Sequence, residues 1–389
     1  MRRLLRLAAA GLAAAGLAAA VTPAAHARTV PFGFFSVNYS GQMYDPLLVD
    51  ADQQSALMAK SGAETVRASF FWFDLQPYAT FAQVPAASRA NFASAGGRPI
   101  TFASTDRIVR AAARHGLRVL PVVSKGPRWA RETQFQAAPP KRPADYAALM
   151  RALIGRYGPR GSFWRANPAV PKTPIRAWIV WNEPNSLEHW RSRTPWPRGY
   201  VRLLKAARAA IKSADPGARV ISAGLFGRAW LELAKIYAAG GKGAFDAVSI
   251  HPYTKLISNV VRILRSSRDV MRQHGDGAKP MYASELTWPA SIPDLTPFLG
   301  YETTRAGQAR KLSELFPELV RLRASLKLAA VSWEAWIDGS TQNPFNFTGL
   351  RTIRPDGSYI DRPALTAYRT TTARFEGCAK SDDARRCAG

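Results

Sequence analysis

Eight times along the chain a short apolar run, rich in Val, Ile and Phe, gives way to a stretch with helical spacing. The runs cover residues 31–37, 65–72, 116–123, 175–181, 219–223, 245–250, 280–284 and 328–336. The helical stretches cover residues 52–60, 106–115, 144–157, 199–213, 229–239, 259–274, 304–325 and 363–375. Most runs are continuously apolar rather than alternating, as a strand buried on both faces requires. A strand followed by a helix, repeated, gives a parallel sheet, because each helix carries the chain back to the edge where the next strand starts. Eight such units is the number that closes a (β/α)8 barrel. An open doubly wound sheet calls for a Gly-rich phosphate turn after an early strand, and the sequence has none. His115-Gly116, Asp215-Pro216-Gly217 and Gly240-Gly241 are ordinary helix stops. The expected class is α/β, a (β/α)8 TIM barrel, with one domain over residues 28–376. Residues 75–104, rich in Pro, Gly, Ala and Ser, make its longest loop.

The ends of the chain carry separate signals. Arg2, Arg3 and Arg6 precede an Ala/Leu/Gly run to Val21, and Ala25-His26-Ala27 follows. That order of charge, apolar run and small residues is the pattern of a secretory signal peptide, so residues 1–27 are expected to be removed and the protein exported. No later segment offers the roughly 18 unbroken apolar residues of a membrane span. The only cysteines, Cys378 and Cys387, lie in a tail over residues 377–389 and are expected to pair in an exported chain. Their spacing suits neither a metal nor a redox motif. The formal net charge of +27 favours anionic partners. Yet the arginines are spread over most of the predicted helices with no dense run, which reads as Arg serving as the default surface residue. No nucleic-acid motif accompanies them, so no nucleic-acid partner is expected.

In such a barrel the chemistry sits where strands end and the following loops begin. Those ends hold Arg67 and Trp72, then Trp129, then Asn182-Glu183-Pro184-Asn185, then His251-Pro252-Tyr253, then Glu285 and Trp288, and last Trp333-Glu334. Two carboxylates delivered to one mouth, Glu183 from the fourth strand and Glu285 from the seventh, are the equipment for hydrolysing a glycosidic bond. One must be protonated to assist the leaving oxygen and the other ionised to attack the sugar carbon. Trp129, Trp181, Trp288 and Trp333 offer flat apolar faces for a sugar ring, and Asn182 a donor for a hydroxyl. Glu334 and Asp338 are rival carboxylates, and alternation turns one of Trp333 and Glu334 away from the mouth. No ligand cluster for a metal is evident and no cofactor is expected. The implied partner is carbohydrate.

The stretches "VWNEPN", "SIHPY" and "ASELTW" resemble glycoside hydrolase clan A, the retaining (β/α)8 enzymes, with a spelling closest to families 39 and 5. The resemblance extends over nearly the whole mature chain through "TVRASFFWFDLQP", "FASTDRIVRAAARHGLRVLPVV" and "GPRWA". It implies Glu183 as acid/base, Asn182 on the sugar 2-hydroxyl and Glu285 as nucleophile. It also implies that Tyr253 bonds the nucleophile, that Arg67 supports it, and that Trp333 floors the central subsite. His251, Trp129 and Trp288 join the substrate-binding set. Gln76 stands where a glutamate is commoner, and the loop over residues 77–103 is longer than usual; both departures bear on substrate identity. The expectation is a secreted retaining β-glycosidase acting on a poly- or oligosaccharide, with carboxyl groups about 5–5.5 Å apart. Transfer to another sugar through the same intermediate, and a catalytically silent carbohydrate-binding barrel, are the alternatives.

Overall fold

The computed structural model describes residues 27–339 and 343–377. Eight parallel strands close on themselves in chain order. They are Phe35–Tyr39, Thr65–Phe71, Arg118–Ser124, Ala177–Val180, Arg219–Phe226, Ala247–His251, Met281–Leu286 and Leu328–Trp333, called strands one to eight below. Closure is between strands one and eight, where Phe35 pairs with Val331 and Val37 with Trp333. Eight helices cover the outside: Ala51–Lys60, Ala103–Arg114, Pro143–Tyr157, Trp196–Ala214, Ala229–Ala238, Ile257–Gln273, Arg305–Leu326 and Pro363–Glu376.

Local sequence explains where these elements begin and stop. Asp50 caps the first helix by accepting from the backbone N–H groups of Asp52 and Gln53, and Thr304 caps the seventh through Gly307 N. Prolines open the third and eighth helices at positions whose N–H has no helical partner anyway. The last helix closes on Gly377 in the left-handed conformation, which costs glycine little. Each predicted apolar run overlaps one strand. The first strand starts later than expected because Pro31-Phe32-Gly33 forms a turn, with Gly33 at φ +91°. The long loop after strand two folds into two 3-10 turns and a small hairpin, Ala93–Ala95 with Arg98–Ile100.

The core has two layers. Leu120, Val122, Ile179, Ile221, Ala247, Tyr282 and Ala330 plug the barrel interior. A larger shell fills the space between strands and helices. No helix among the described residues is long and apolar enough to cross a membrane. The expected leader lies outside the described residues except for Ala27, and so does the expected Cys378–Cys387 pair.

Candidate active site

The site lies at the C-terminal mouth of the barrel, with Arg67 reaching it from within strand two, and departures from regular strand geometry aim both of its glutamates. Strand alternation turns Ala247, Ser249 and His251 inward on strand six, and Ala330, Ser332 and Glu334 inward along strand eight. Strand seven would by the same rule present Tyr282 and Ser284 and turn Glu285 away. Pairing with strand eight shows why it does not: Val331 matches Ala283, but Trp333 matches Leu286. Three residues of strand seven thus face two of strand eight. This bulge re-aims the chain so that Ser284 and Glu285 both reach the interior. Strand five has a similar bulge, with Ile221 matching Ala247 but Gly224 matching Ser249.

Strand four ends in a different irregularity. Trp181 has φ +71° and Glu183 φ +39°, in the left-handed region that side-chain-bearing residues rarely adopt. Such residues cost on the order of 1–3 kcal/mol each and must be held by their surroundings. The Trp181 indole does this holding. It is fully buried, donates from Nε1 to His189 O at 2.9 Å, and packs edge-on against Tyr146 and Trp190. With alternation broken, Asn182 and Glu183 are both directed at the mouth although they are adjacent.

The two glutamates meet across His251. Its Nδ1 lies 2.6 Å from Glu183 Oε1 and 3.2 Å from Glu285 Oε2. One oxygen of each glutamate and one ring nitrogen of His251 all lie within 4.8 Å of one another. His251 Nε2 bonds Ser284 Oγ at 3.0 Å, which bonds Ser249 Oγ at 2.5 Å. Both ring nitrogens therefore face groups that can reverse a hydrogen bond. Gly224 makes room for this ring: a Cβ there would fall 1.9 Å from His251 Nε2.

The carboxyls differ in environment. Glu285 is buried; Arg67 Nη1 is 2.7 Å from its Oε1 and Tyr253 donates to its Oε2 at 2.5 Å. Burial alone would raise its pKa, but the charge of Arg67, then His251, then the Tyr253 hydroxyl outweigh it and hold the group below the usual carboxylate range. Glu183 has no guanidinium or ammonium partner among the described residues; it meets His251 and His189, whose Nδ1 is 3.4 Å from Oε2. The other nitrogen of Arg67, Nη2, donates to Asn182 Oδ1 at 3.0 Å. That fixes the amide so that its NH2 is free for a ligand. One guanidinium thus orients a group on each side of the site.

A third carboxyl shares the floor. Glu334 is buried, accepts a short hydrogen bond from Asn38 Nδ2, and has its pKa pushed up to about 7, first by burial and then by the charge of Glu285. Asn38 also donates to Ser284 O at 3.2 Å, next to Glu285. The trio Glu183, His251 and Glu285 has the composition of a cation site, but the positive charge beside Glu285 is already supplied by Arg67.

The structure brings Arg67, Asn182, Glu183, His251, Tyr253 and Glu285 together, and corrects the expected tryptophans. Trp333 is fully buried on the helix side of strand eight, edge-on to Phe316, with Nε1 donating to Thr348 O at 3.0 Å. It floors no subsite; the inward residue is its neighbour Glu334. Trp288 is also buried, a brace whose Nε1 donates to Thr254 O at 2.7 Å while the Lys311 ammonium lies over its ring. Trp129 is half-buried, bonded to Gln76 O and covered by the Arg98 guanidinium at 4.1 Å. None of the three offers a bare ring. The aromatics packed on Tyr253, the partner of Glu285, are instead Tyr301, stacked at 5.9 Å, and Phe345, edge-on at 5.5 Å. Sequence reading missed these, and missed His189. The one available signal for His189 was rarity: the chain has five histidines, and two converge on Glu183.

No protein-family model matches the chain, and no curated protein matches it. Solved structures do match. A monomeric β-xylosidase from Caulobacter crescentus is 19% identical with a TM-score of 0.62, covering 88% of this chain and 68% of that one. A family 39 glycoside hydrolase from Bacteroides cellulosilyticus is 17% identical with a TM-score of 0.58, covering 89% of this chain and 63% of that one. A family 5 glycoside hydrolase from Bifidobacterium longum, solved with a Manβ1-4GlcNAc ligand, is 16% identical with a TM-score of 0.61, covering 88% and 78%. At these identities the likeness is one of fold: the chain shares its barrel with glycoside hydrolases of families 39 and 5.

Proposed function

We propose that the chain is an exported retaining β-glycosidase that hydrolyses a poly- or oligosaccharide by double displacement. The observation that carries the reading is the pair of unlike carboxyls within 4.8 Å of a common imidazole nitrogen and of each other. A retaining pair stands about 5–5.5 Å apart, whereas an inverting pair leaves room for a water at about 6.5–9.5 Å. The environments divide the labour. Glu285, ionised by Arg67 and Tyr253, attacks the anomeric carbon. Glu183 gives its proton to the departing glycosidic oxygen. The C–O bond to the leaving group breaks as the bond to Glu285 forms, leaving a glycosyl ester. Glu183, now a carboxylate, takes a proton from water. The hydroxide so generated attacks the same carbon and frees Glu285.

His251 suits this cycle. It accepts from Glu183 when that group is protonated and donates to it when ionised, and Ser284 can reverse in step. Asn182, fixed by Arg67, directs its NH2 to a hydroxyl beside the reacting carbon. Export rests on the leader-like residues 1–27.

The test is to incubate the purified protein with 2-deoxy-2-fluoro aryl glycosides and identify the labelled peptide by mass spectrometry, alongside product anomer by NMR. A label on Glu285 and a first-formed product of retained configuration support the reading. An inverted first product overturns it.

A further inference from the structure

The end of the barrel away from the glutamates holds a cavity of about 1120 Å³. Its floor is the inner face of the core plug, with Leu120, Tyr282 and Ala330. Its walls carry six cations, Arg118, Lys172, Arg176, Arg219, Arg323 and Lys327, and no carboxylate among the described residues. These come from places far apart in sequence. Arg118 and Arg219 are the first residues of strands three and five, Arg176 and Lys327 immediately precede strands four and eight, Lys172 lies shortly before strand four, and Arg323 is in the last turn of the seventh helix. Barrel closure gathers them.

Some surface arginines elsewhere stand beside carboxylates, as in Arg208–Asp246 at 2.6 Å, Arg142–Asp145 at 2.9 Å and Arg321–Glu318 at 2.6 Å, and others, such as Arg151 and Arg198, stand singly; what sets the cavity apart is six cations lining one concavity with no carboxylate among the described residues. In the cavity, among the described residues, only Arg176 has a carboxylate neighbour, Asp215 at 3.4 Å, and that residue is not in the lining. Arg118 donates to Phe32 O and lies over the Phe32 ring, and Arg219 donates to the Tyr282 hydroxyl. Lys172, Arg323 and Lys327 have no ion pair among the described residues. Two glycines leave space for the guanidiniums: a Cβ on Gly217 would meet Arg176 Nη2 at 2.2 Å, and one on Gly33 would meet Arg118 Nη1 at 3.0 Å. Gathering like charges without counter-charges works against the compact state. A bound polyanion would relieve that repulsion.

We infer that this cavity is a second binding site, separate from the glutamate pair, for an acidic oligosaccharide segment bearing carboxylate groups. The volume and the concave form suit a few sugar rings with their anions directed at the walls. A nucleic-acid duplex carries its charge on a convex cylinder that does not enter a pocket. A lipid surface would need exposed apolar side chains at the rim, and the one large apolar side chain there, Phe32, is engaged under Arg118. The inference goes beyond the glycosidase reading and does not depend on it.

The experiment uses the full chain carrying Glu285→Ala, so that turnover does not consume the probe. Binding of a fluorescent galacturonic acid tetrasaccharide is measured at about 0.05 M salt, where screening is weak. The double variant Arg323→Glu/Lys327→Glu is compared with Arg151→Glu/Arg198→Glu, an equal change of net charge at exposed helix positions outside the cavity. Thermal melts check that each variant folds. The cavity variant is expected to bind at least roughly tenfold more weakly, about 1.4 kcal/mol, and the control within about twofold, since two exposed ion pairs are lost and replaced by repulsions. A neutral xylose tetrasaccharide should bind equally to both. Equal losses in the two variants would assign binding to diffuse charge and overturn the proposal, as would no binding by the parent. Preferential capture of anionic vesicles or of a single-stranded oligonucleotide, lost in the same cavity variant, would overturn it in favour of those ligands.

Discussion

Gly224→Ala tests the site through a residue that touches no substrate. The glycine has no positive φ, so its backbone would accept alanine; what forbids the methyl group is space. The added Cβ would stand 1.9 Å from His251 Nε2, 2.4 Å from Cε1 and 2.5 Å from Cδ2. Carbon contacts begin near 3.5 Å, so the ring must retreat by more than about 1 Å. A retreat of that size breaks the 2.6 Å bond from Nδ1 to Glu183 and the 3.0 Å bond to Ser284. A hydrogen bond to a charged group is worth about 1.5–3 kcal/mol, which is a loss of about 10- to 150-fold in kcat/KM if it is felt in the transition state. Overpacking should also cost about 1–3 kcal/mol of stability. The assay is kcat/KM on the best aryl glycoside from a substrate screen, with urea unfolding in parallel, for Gly224→Ala, His251→Ala and the double variant. The double variant removes the ring the methyl would strike, so it should be no worse than His251→Ala alone. Activity of Gly224→Ala within twofold of the parent would refute the reasoning. So would a double variant that loses the product of the two single losses.

Glu285→Ala should abolish turnover of every substrate, whereas Glu183→Ala should harm substrates with poor leaving groups most and regain activity with azide as a β-glycosyl azide; equal loss on both substrate types without rescue would count against the roles given to them. Trp333→Phe should leave KM unchanged while lowering stability by about 1–3 kcal/mol, because the indole is core; a selective rise in KM would return it to the cleft. Glu376 has both carboxylate oxygens buried without a hydrogen-bond partner among the described residues, and its pKa is pushed up to about 9, by burial first and then by the charge of Glu64, with Arg28 opposing. Its folded pKa lies above its unfolded value, so stability is greatest at acid pH and erodes as pH rises from the unfolded pKa towards about 9. Glu376→Gln should therefore melt higher than the parent at pH 8 and no higher at pH 4, and an equal difference at both pH values would refute it.

Much of the fold was legible because it follows from repetition. Continuous apolar runs followed by helical spacing mark the strands whatever loops lie between them. The two glutamates were legible for a related reason: a carboxylate directly after a buried run has no packing role there. The orientation of tryptophans was not legible. Trp333 and Glu334 are adjacent, and only the phase of strand eight decides which one faces in; Ala330 in the interior plug sets that phase. Glu285 was placed in the site although strict alternation from Tyr282 would have turned it out, and the bulge that rescues it leaves no mark on the local sequence. His189, Tyr301 and Phe345 arrive from loops, where no periodicity applies. The basic cavity was hidden for the opposite reason. Its six members are scattered from Arg118 to Lys327, and a scan for charge runs sees only an even spread.

The backbone irregularities have a consequence for anyone who wishes to transplant this site. Glu285 faces inward through a bulge, His251 fits through a second bulge that places Gly224 behind it, and Asn182 and Glu183 share a direction through left-handed torsions on either side. Copying the side chains onto a regular eight-stranded host would reproduce the letters and turn half of them to the wrong face. What must be grafted is the path of the main chain, including one residue too many in strands five and seven. Insertions and deletions in the loops would then be neutral by comparison, while a single-residue deletion within residues 283–286 would rotate the carboxylate out of the barrel and leave its composition nearly unchanged.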